Sequence, residues 1–218
     1  MKEELQKLES ALAHDLNNFL QVIMGNLELL KRRREFVPEI VEAALGATRN
    51  AATLGDRLLA LGRLESYEAR PLELNRFLRD LTELLEHTVG ESVALEFDLA
   101  PKLGPVLVDP RALQLALLEL ATNAREAMGT GGRLVLRSAA ASADRVLLEV
   151  ADNGRGMAQT SHGTFEPLNV RAGHGKGRAL GLHLVEFCMH LSGGRMELDS
   201  APGAGTRVRL YLPTTEKS

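Results

Sequence analysis

Among the six histidines of the chain, His14 is distinguished by its position on a long predicted helix. The apolar residues of this helix recur at spacings of three and four: Leu5, Leu8, Leu12, Leu16, Phe19, Ile23, Leu27 and Leu30. At about 100° per residue, His14 lies nearly opposite this stripe and is expected to face solvent. Asp15 is its neighbour in sequence, and Asn18 follows one helical turn later on the same side. A carboxylate can orient an imidazole through one ring nitrogen while the other nitrogen attacks, so the spacing would suit a nucleophilic histidine. From the pattern alone, an ordinary exposed helical histidine is the favoured interpretation, because exposed histidines are common.

Two long helices are predicted over residues 3–66, and they must position His14. The first apolar stripe breaks at residues 35–38, and Pro38 is expected to begin the second helix because proline is tolerated in a first turn. The second stripe alternates spacings of four and three, as in a coiled coil: Ile40, Ala44, Ala47, Ala51, Leu54, Leu58 and Leu61. A lone two-helix hairpin would leave further apolar side chains exposed, including Leu20, Met24 and Leu59. The sequence therefore predicts a hairpin that dimerises into a four-helix bundle.

From about Arg70 onward, short strands are mixed with helices. Alternating apolar and polar side chains predict strands at residues 93–97, 133–137, 146–150 and 207–212. Apolar periodicity predicts helices near residues 76–88, 111–128 and 178–192. Residues 154–177 are rich in glycine and lack such periodicity, which indicates a long loop, and loops of this length are usually functional. This order of elements predicts helices on one face of a mixed sheet, an α+β arrangement.

The histidine segment has a family resemblance. Residues 14–18 (HDLNN) resemble the phosphoacceptor box of histidine kinases, an H-[DE]-x-x-[TN] motif on the first helix of the dimerisation hairpin. The resemblance implies that His14 is the phosphorylated residue and that Asp15 assists its nucleophilic attack. It further implies that Asn18 positions water when the protein dephosphorylates its partner. Phe19 stands where the commonest form of the box has proline, so the helix is expected to lack a proline kink.

Five later segments resemble, in order, the boxes of the ATPase superfamily shared by histidine kinases, gyrase and mismatch-repair ATPases. They are the N box at residues 118–128, the G1 box at 152–157, the F box at 164–167, the G2 box at 173–182 and the last glycine box at 203–206. Each segment alone also has a simpler interpretation, since Asp-Asn-Gly is a common turn and a glycine-rich loop can be a flexible connector. The resemblance covers nearly the whole chain, from about residue 3 to residue 213.

The resemblance implies a nucleotide-binding role for several residues. Asn123 would supply an amide oxygen to Mg²⁺, a hard ion that takes oxygen ligands, and Arg125 would contact phosphate. The Asp152 carboxylate would accept a hydrogen bond from the adenine amino group, with glycines beside it that admit the base. Backbone N–H groups at the start of the helix into which the G2 box leads would favour phosphate. The other implied cofactor-binding residues are Gly154, Gly156, Lys176, Gly177, Gly181 and Thr206.

Two positions depart from the pattern of the superfamily. Ala179 replaces the last glycine of the usual GxGxG run. Glu119 stands where many kinases carry asparagine, and in gyrase-like relatives a glutamate at that place activates water for ATP hydrolysis. Both departures are expected to change the affinity for nucleotide more than they change the fold.

Composition narrows the class of protein. A net charge of −3 and a pI near 6.1 give no sign of a general nucleic-acid binder. The single cysteine, Cys188, cannot form an internal disulfide, so a reducing cytoplasm is the expected compartment. No apolar leader follows the charged residues 2–4 and no stretch has the length of a membrane span, so no direct membrane span is expected.

Taken together, pattern and resemblance predict an α+β protein of two domains. Residues 1–67 would form a dimerisation and histidine phosphotransfer hairpin, and residues 68–218 an α/β-sandwich ATP-binding domain. The implied function is an ATP-dependent protein histidine kinase that passes the phosphoryl group from His14 to an aspartate of a response regulator receiver domain, and that also acts as a regulator phosphatase. ATP and Mg²⁺ are the implied cofactors, and a homodimer is the implied assembly.

Two other functions fit parts of the pattern. A phosphotransfer adaptor would keep the hairpin and a degenerate nucleotide domain, and would take phosphate from another protein. A plain ATPase would use Glu119 as its base. Nucleotide binding separates the kinase from the adaptor, and phosphate retained on His14 separates it from the ATPase.

Overall fold

The computed structural model describes residues 2–33, 36–62, 66–157 and 176–215. The chain divides into two compact units, Met1–Ser66 and Tyr67–Ser218, one residue earlier than the boundary expected from the sequence. The described part of the first unit is helical, and the second contains helices and a mixed sheet, which is the predicted fold class. None of the described helices combines the length and the apolar character that a bilayer span requires.

The first unit is a hairpin of α1 (Lys2–Arg33) and α2 (Pro38–Gly62), and proline opens the second helix as predicted. The two helices pack together, and α1 runs through Phe19 without interruption. The seam buries four predicted stripe residues: Phe19, Ala44, Ala47 and Leu54. Leu27 and Leu58 were predicted to lie in the stripes, but their side chains are exposed. Five further stripe residues are half-buried: Leu16, Ile23, Leu30, Ile40 and Ala51. The side chains of the last four, Leu5, Leu8, Leu12 and Leu61, lie outside the described part of the structure.

The second unit contains four helices and seven strands among its described residues. The helices are α3 (Leu74–Asp80), α4 (Thr82–Val89), α5 (Pro110–Ala127) and α6 (Lys176–Leu191). The strands are β1 (Arg70–Leu72), β2 (Val93–Leu99), β3 (Val106–Val108), β4 (Gly132–Ser142), β5 (Arg145–Asp152), β6 (Arg195–Ser200) and β7 (Thr206–Pro213). The predicted helix near residues 76–88 is therefore two helices, and β1, β3 and β6 were not predicted. β1 and β3 are too short to show a period, and β6 is a largely polar edge strand, as edge strands often are.

Five strands form the main sheet in the order β2-β4-β5-β7-β6. β2 is parallel to β4, and the other neighbours are antiparallel. One face is apolar and covered by α4, α5 and α6; register partners on this face include Leu136, Val150 and Val208, which are all buried. Because β5 and β7 are paired along their whole length, Asp152 at the end of β5 lies opposite Thr206 at the start of β7.

The other face of the sheet carries a row of alternating charges. Glu149 lies between its register partners Arg137 and Arg209. Its Oε1 is 2.9 Å from Arg137 Nη1, and its Oε2 is 3.2 Å from Arg209 Nε and 3.3 Å from Arg207 Nε. A largely buried carboxylate surrounded by guanidinium groups is well compensated, so this row helps to hold β4, β5 and β7 in register.

The start of α5 is fixed by Asp109, whose side chain is buried. Its Oδ1 accepts the backbone N–H of Arg111 at 2.8 Å, and its Oδ2 accepts the Arg111 guanidinium at 2.7 Å and the Glu68 N–H at 3.0 Å. Burial acts to raise the pKa of Asp109, but these hydrogen bonds outweigh it and lower the pKa from 3.8 to about 2. This capped helix carries Asn123 near its other end.

Candidate functional site

His14 lies on α1 with 76% of its side chain exposed, which is the solvent-facing position that the apolar stripe predicted. Its Nδ1 is 3.0 Å from Asn18 Nδ2 and 3.5 Å from Asp15 Oδ1. Both neighbours therefore contact the same ring nitrogen. The structure brings the three predicted residues of the phosphoacceptor box together around Nδ1, and neither neighbour contacts Nε2.

The two neighbours favour different tautomers of His14. The Asp15 carboxylate, when ionised, only accepts hydrogen bonds, so its contact favours a proton on Nδ1. The Asn18 amide nitrogen donates, but a half-turn of the amide would present its oxygen to an Nδ1–H group instead. A proton on Nδ1 leaves the lone pair on Nε2 available for attack. Asp15, with Asn18 turned in this way, therefore supports a nucleophilic Nε2.

A pocket in the second unit lies between α5, α6 and the adjacent ends of β5 and β7. Its polar lining includes the predicted residues Asn123, Asp152 and Thr206, and its apolar lining is Leu120, Ala127, Val150, Met157, Leu182 and Val208. Gly156 also lines it. Apolar walls with a few polar groups suit a flat aromatic base that must be held in one orientation.

The Asp152 carboxylate is oriented by the backbone around it. Its Oδ1 accepts the N–H of Gly154 at 2.8 Å and the N–H of Thr206 at 3.2 Å. The two N–H groups belong to different predicted boxes. Gly154 lies in the G1 box after β5, and Thr206 lies in the last glycine box and begins β7. An oriented carboxylate in the pocket can accept a hydrogen bond from the amino group of a base.

The glycines of the G1 box make close contacts with the protein itself. A Cβ on Gly154 would lie 2.7 Å from the Cβ of Ala127, and a Cβ on Gly156 would lie 2.0 Å from the carbonyl oxygen of Ala201. Likewise, a Cβ on Gly205 would lie 2.0 Å from the carbonyl oxygen of Asp152. The sequence interpretation was that the two G1 glycines, Gly154 and Gly156, admit the base. The structure adds that they let the N box, the G1 box and the last glycine box pack against one another.

Replacing Gly156 with alanine is expected to destabilise the second unit by several kcal/mol and to weaken nucleotide binding. The residue has φ +64° and would place its Cβ against backbone atoms that cannot move aside easily. Gly203→Ala is the matched control, because Gly203 has φ +77° but no atom within 4 Å of its Cβ position. Gly203→Ala should lower the free energy of unfolding by about 1–2 kcal/mol, which is the conformational strain of a positive φ alone. Urea unfolding measures both variants, and equal losses of stability would contradict the packing role.

Asn123 and Glu119 lie one turn apart on α5, facing Gly181 in the second turn of α6. A Cβ on Gly181 would be 2.8 Å from Glu119 Oε2 and 3.1 Å from Asn123 Nδ2. Asn123 Nδ2 is buried and has no hydrogen-bond partner among the described residues. A half-turn of this amide would place its oxygen there, beside a carboxylate. The amide oxygen of Asn123 and the carboxylate of Glu119 would suit Mg²⁺, which takes oxygen ligands. The sequence analysis had assigned the ion to Asn123 alone.

The remaining predicted site residues lie elsewhere. Arg125, expected to contact phosphate, donates from Nη1 to the carbonyl oxygen of Thr88 at 2.8 Å, at the end of α4. The backbone of Lys176 and Gly177 begins α6, so the helix starts within the G2 box, and the Lys176 side chain is outside the described part. The F box at residues 164–167 also lies outside the described residues.

Two family models match the chain. Residues 108–216 match the model described as histidine kinase-, DNA gyrase B- and HSP90-like ATPase, and residues 4–67 match the His Kinase A (phospho-acceptor) domain. The first match includes the pocket, and the second includes His14 and its two neighbours.

Several sensor kinases are similar in sequence. The sensor kinase CckA of Brucella abortus is 33% identical over 226 residues, which cover 95% of this chain and 24% of that protein. The sensor histidine kinase ZraS of Klebsiella oxytoca is 30% identical over 214 residues, which cover 96% of this chain and 46% of that protein. The chain thus spans about a quarter of the length of the first relative and just under half of the second.

Solved structures share the fold. The histidine kinase ThkA, in its complex with the response regulator protein TrrA, has a TM-score of 0.70 at 18% identity, covering 98% of this chain and 64% of that chain. The Acinetobacter baumannii histidine kinase AdeS has a TM-score of 0.66 at 19% identity, covering 93% of this chain and 98% of that chain. Both therefore combine a comparable hairpin and sheet domain.

Proposed function

We propose that this chain, which belongs to the sensor histidine kinase family, binds ATP with Mg²⁺ and transfers the γ-phosphoryl group to Nε2 of His14. The group then passes to an aspartate in the receiver domain of a response regulator. The observation that carries the proposal is the exposed His14 with its Nδ1 between Asp15 and Asn18. The pocket beside Asp152 supports ATP as the phosphoryl donor.

In the proposed reaction, the Nε2 lone pair attacks the γ-phosphorus as the bond from that phosphorus to the bridging oxygen breaks, and ADP leaves. The Nδ1 proton of His14 faces Asp15, which stabilises the positive charge that develops on the ring. Asp152 holds the adenine end, while Asn123 and Glu119 would hold Mg²⁺. The ion supplies positive charge that offsets the negative charge of the transferring group.

A labelling experiment separates this proposal from the two alternatives. The purified chain is incubated with γ-labelled ATP and Mg²⁺, with no other protein present. A kinase becomes labelled itself; an adaptor with a degenerate domain stays unlabelled; a plain ATPase releases labelled phosphate without retaining it. Asn123, Asp152 and Gly156 favour the kinase over the adaptor, because they line one pocket.

We also propose that the chain is a homodimer through α1 and α2. Several large apolar side chains of the hairpin are about half exposed or more, among them Leu20 at 45%, Leu27 at 54%, Met24 at 61% and Leu59 at 67%. A surface of this kind on a thin hairpin usually marks an interface. Sedimentation is expected to give a dimer at micromolar concentration, and Met24→Glu with Leu59→Glu should shift it toward monomer. The exposed Asn50→Glu is the control, and a monomeric wild-type chain would contradict the proposal.

A second activity, dephosphorylation of the regulator, is proposed for Asn18. Its amide lies within hydrogen-bond distance of the His14 ring and can orient an attacking water. Asn18→Ala is expected to keep self-phosphorylation within several-fold but to slow regulator dephosphorylation about 100-fold, the usual cost of losing one positioning hydrogen bond. Asn17→Ala, at the exposed neighbouring position, is the control. Unchanged dephosphorylation by the Asn18 variant would remove this residue from the mechanism.

A cytoplasmic location stays a prediction, because the buried thiol of Cys188 would stay reduced in any compartment. This thiol is fully buried on α6 and unpaired with any other cysteine, since the chain has only one. Burial raises its pKa from 9.0 to about 12, so it stays protonated and unreactive at neutral pH.

A further inference from the structure

Ser200, at the end of β6, is buried and has three polar partners around its hydroxyl group. The backbone N–H of Met157 donates to its Oγ at 2.9 Å, and the Oγ–H donates to the carbonyl oxygen of Gly205 at 2.9 Å. The hydroxyl of Thr206 lies 3.2 Å from the same Oγ. Ser200 therefore joins the segments that carry Met157 and Thr206, both of which line the pocket.

The direction of the bond between Ser200 and Thr206 follows from counting protons. A serine hydroxyl has one proton and two lone pairs. The Gly205 carbonyl can only accept, so the Ser200 proton is committed to it, and the Met157 N–H uses one lone pair of Oγ. The second lone pair is left for Thr206, which must then donate. Ser200 thus turns the Thr206 proton toward itself.

A threonine hydroxyl whose proton is committed can only accept from a ligand. Thr206 lines the pocket together with Asp152, and its N–H already donates to the Asp152 carboxylate at 3.2 Å. The carboxylate is also an acceptor. The pocket therefore presents two acceptors, on adjacent strand ends, to whatever polar edge of a base lies there.

We propose that Ser200 is a specificity-determining residue that acts through Thr206. By fixing Thr206 as an acceptor, Ser200 makes the pocket prefer a purine that donates through a 6-amino group over a purine with a 6-carbonyl oxygen. This inference rests on the proposed binding of ATP. A carbonyl oxygen placed against two acceptors has no hydrogen-bond donor and is repelled, which is a strong basis for discrimination.

The test compares ATP with ITP, in which a carbonyl oxygen replaces the amino group. Equilibrium affinities of both nucleotides are measured for the full chain as wild type, Ser200→Ala and Ser192→Ala. Without the Ser200 hydroxyl, Thr206 can donate to the carbonyl oxygen, so the preference for ATP over ITP is expected to fall about tenfold, the scale of one hydrogen bond. Ser192 is a matched control, since its buried hydroxyl donates to the Cys188 carbonyl oxygen on α6 and should leave the ratio unchanged.

The ratio distinguishes specificity from a purely structural role. If Ser200 has only a structural role, Ser200→Ala will lower the affinities for ATP and ITP equally. An unchanged ratio of the two affinities would therefore overturn the inference. Thr206→Val provides a second test that holds even if Ser200→Ala fails to fold. If Thr206 is an acceptor, its loss lowers the preference for ATP; if it is a donor, its loss raises that preference and the inference is wrong. Failure of the wild-type chain to bind ATP would instead overturn the proposed function.

Discussion

Replacing His14 with glutamine is expected to abolish phosphoryl incorporation while ATP affinity stays unchanged. Glutamine retains a polar side chain on an exposed helix position but has no nucleophilic ring nitrogen, so the covalent step is lost entirely. The affinity should persist because the pocket belongs to the second compact unit and His14 belongs to the first. Incorporation is measured with γ-labelled ATP, and affinity by equilibrium titration of the same preparation.

His87→Gln is the matched control for this experiment. His87 is an exposed histidine in the last turn of α4, and no proposed step uses it. Its variant should incorporate phosphate like the wild type. Undiminished incorporation in the His14 variant would show that another residue accepts the phosphoryl group, and a loss of ATP affinity would show that the substitution acts beyond the hairpin.

Asp152→Asn is expected to reduce ATP affinity about 100-fold or more, because the pocket loses the carboxylate oxygen that accepts a hydrogen bond from the adenine amino group. The asparagine oxygen can still accept the N–H groups of Gly154 and Thr206, so the local backbone should be preserved. The new amide nitrogen would then face the adenine amino group, donor against donor. Helix content and the unfolding midpoint should stay close to the wild type.

The control for Asp152→Asn is Asp98→Asn, which changes the same charge on the open face of the sheet, where Asp98 lies 3.3 Å from Arg137. The control should bind ATP normally. Titration of both variants with ATP, alongside circular dichroism, gives the comparison. If Asp152→Asn binds ATP as tightly as the wild type, the adenine role assigned to this carboxylate is wrong.

The hairpin was predictable from local sequence because its signals are periodic and strong. The apolar stripe of the first helix broke at residues 35–38 and Pro38 opened the second helix, and the exposure of His14 followed from helix geometry alone. Leu27 and Leu58 fit the periodic pattern equally well but are exposed on the hairpin. Periodicity gives the apolar side of each helix, but it does not separate positions that face the other helix from positions that face a second chain.

In the second unit, the pocket residues were found through box resemblance, but their mutual contacts were not. Asn123, Asp152 and Thr206 line one pocket. Arg125 carried the expected charge, yet it contacts the end of α4, because its side chain leaves α5 toward that helix. The sequence gives the chemical type of a side chain on a helix. Which group that side chain contacts depends on how the neighbouring helix packs.

Ser200 shows most clearly what the sequence could not reveal. It is one serine in a polar edge strand, and one of its hydrogen-bond partners, Met157, is 43 residues away. Its importance comes from the way Gly156 and Gly205 allow the segment after β5 and the turn between β6 and β7 to approach closely, which brings a backbone group of each to one hydroxyl. No local pattern marks a residue whose function depends on that approach.

The most direct test locates the phosphate on the wild-type chain. The full chain is incubated with γ-labelled ATP and Mg²⁺, digested, and the labelled peptide is identified by mass spectrometry. We expect the label on the peptide containing His14, bound through nitrogen, so that it is lost in acid and retained in base. Label on a different residue, or a chain that binds ATP under these conditions but retains no covalent phosphate, would contradict the assignment of His14 as the phosphoryl acceptor.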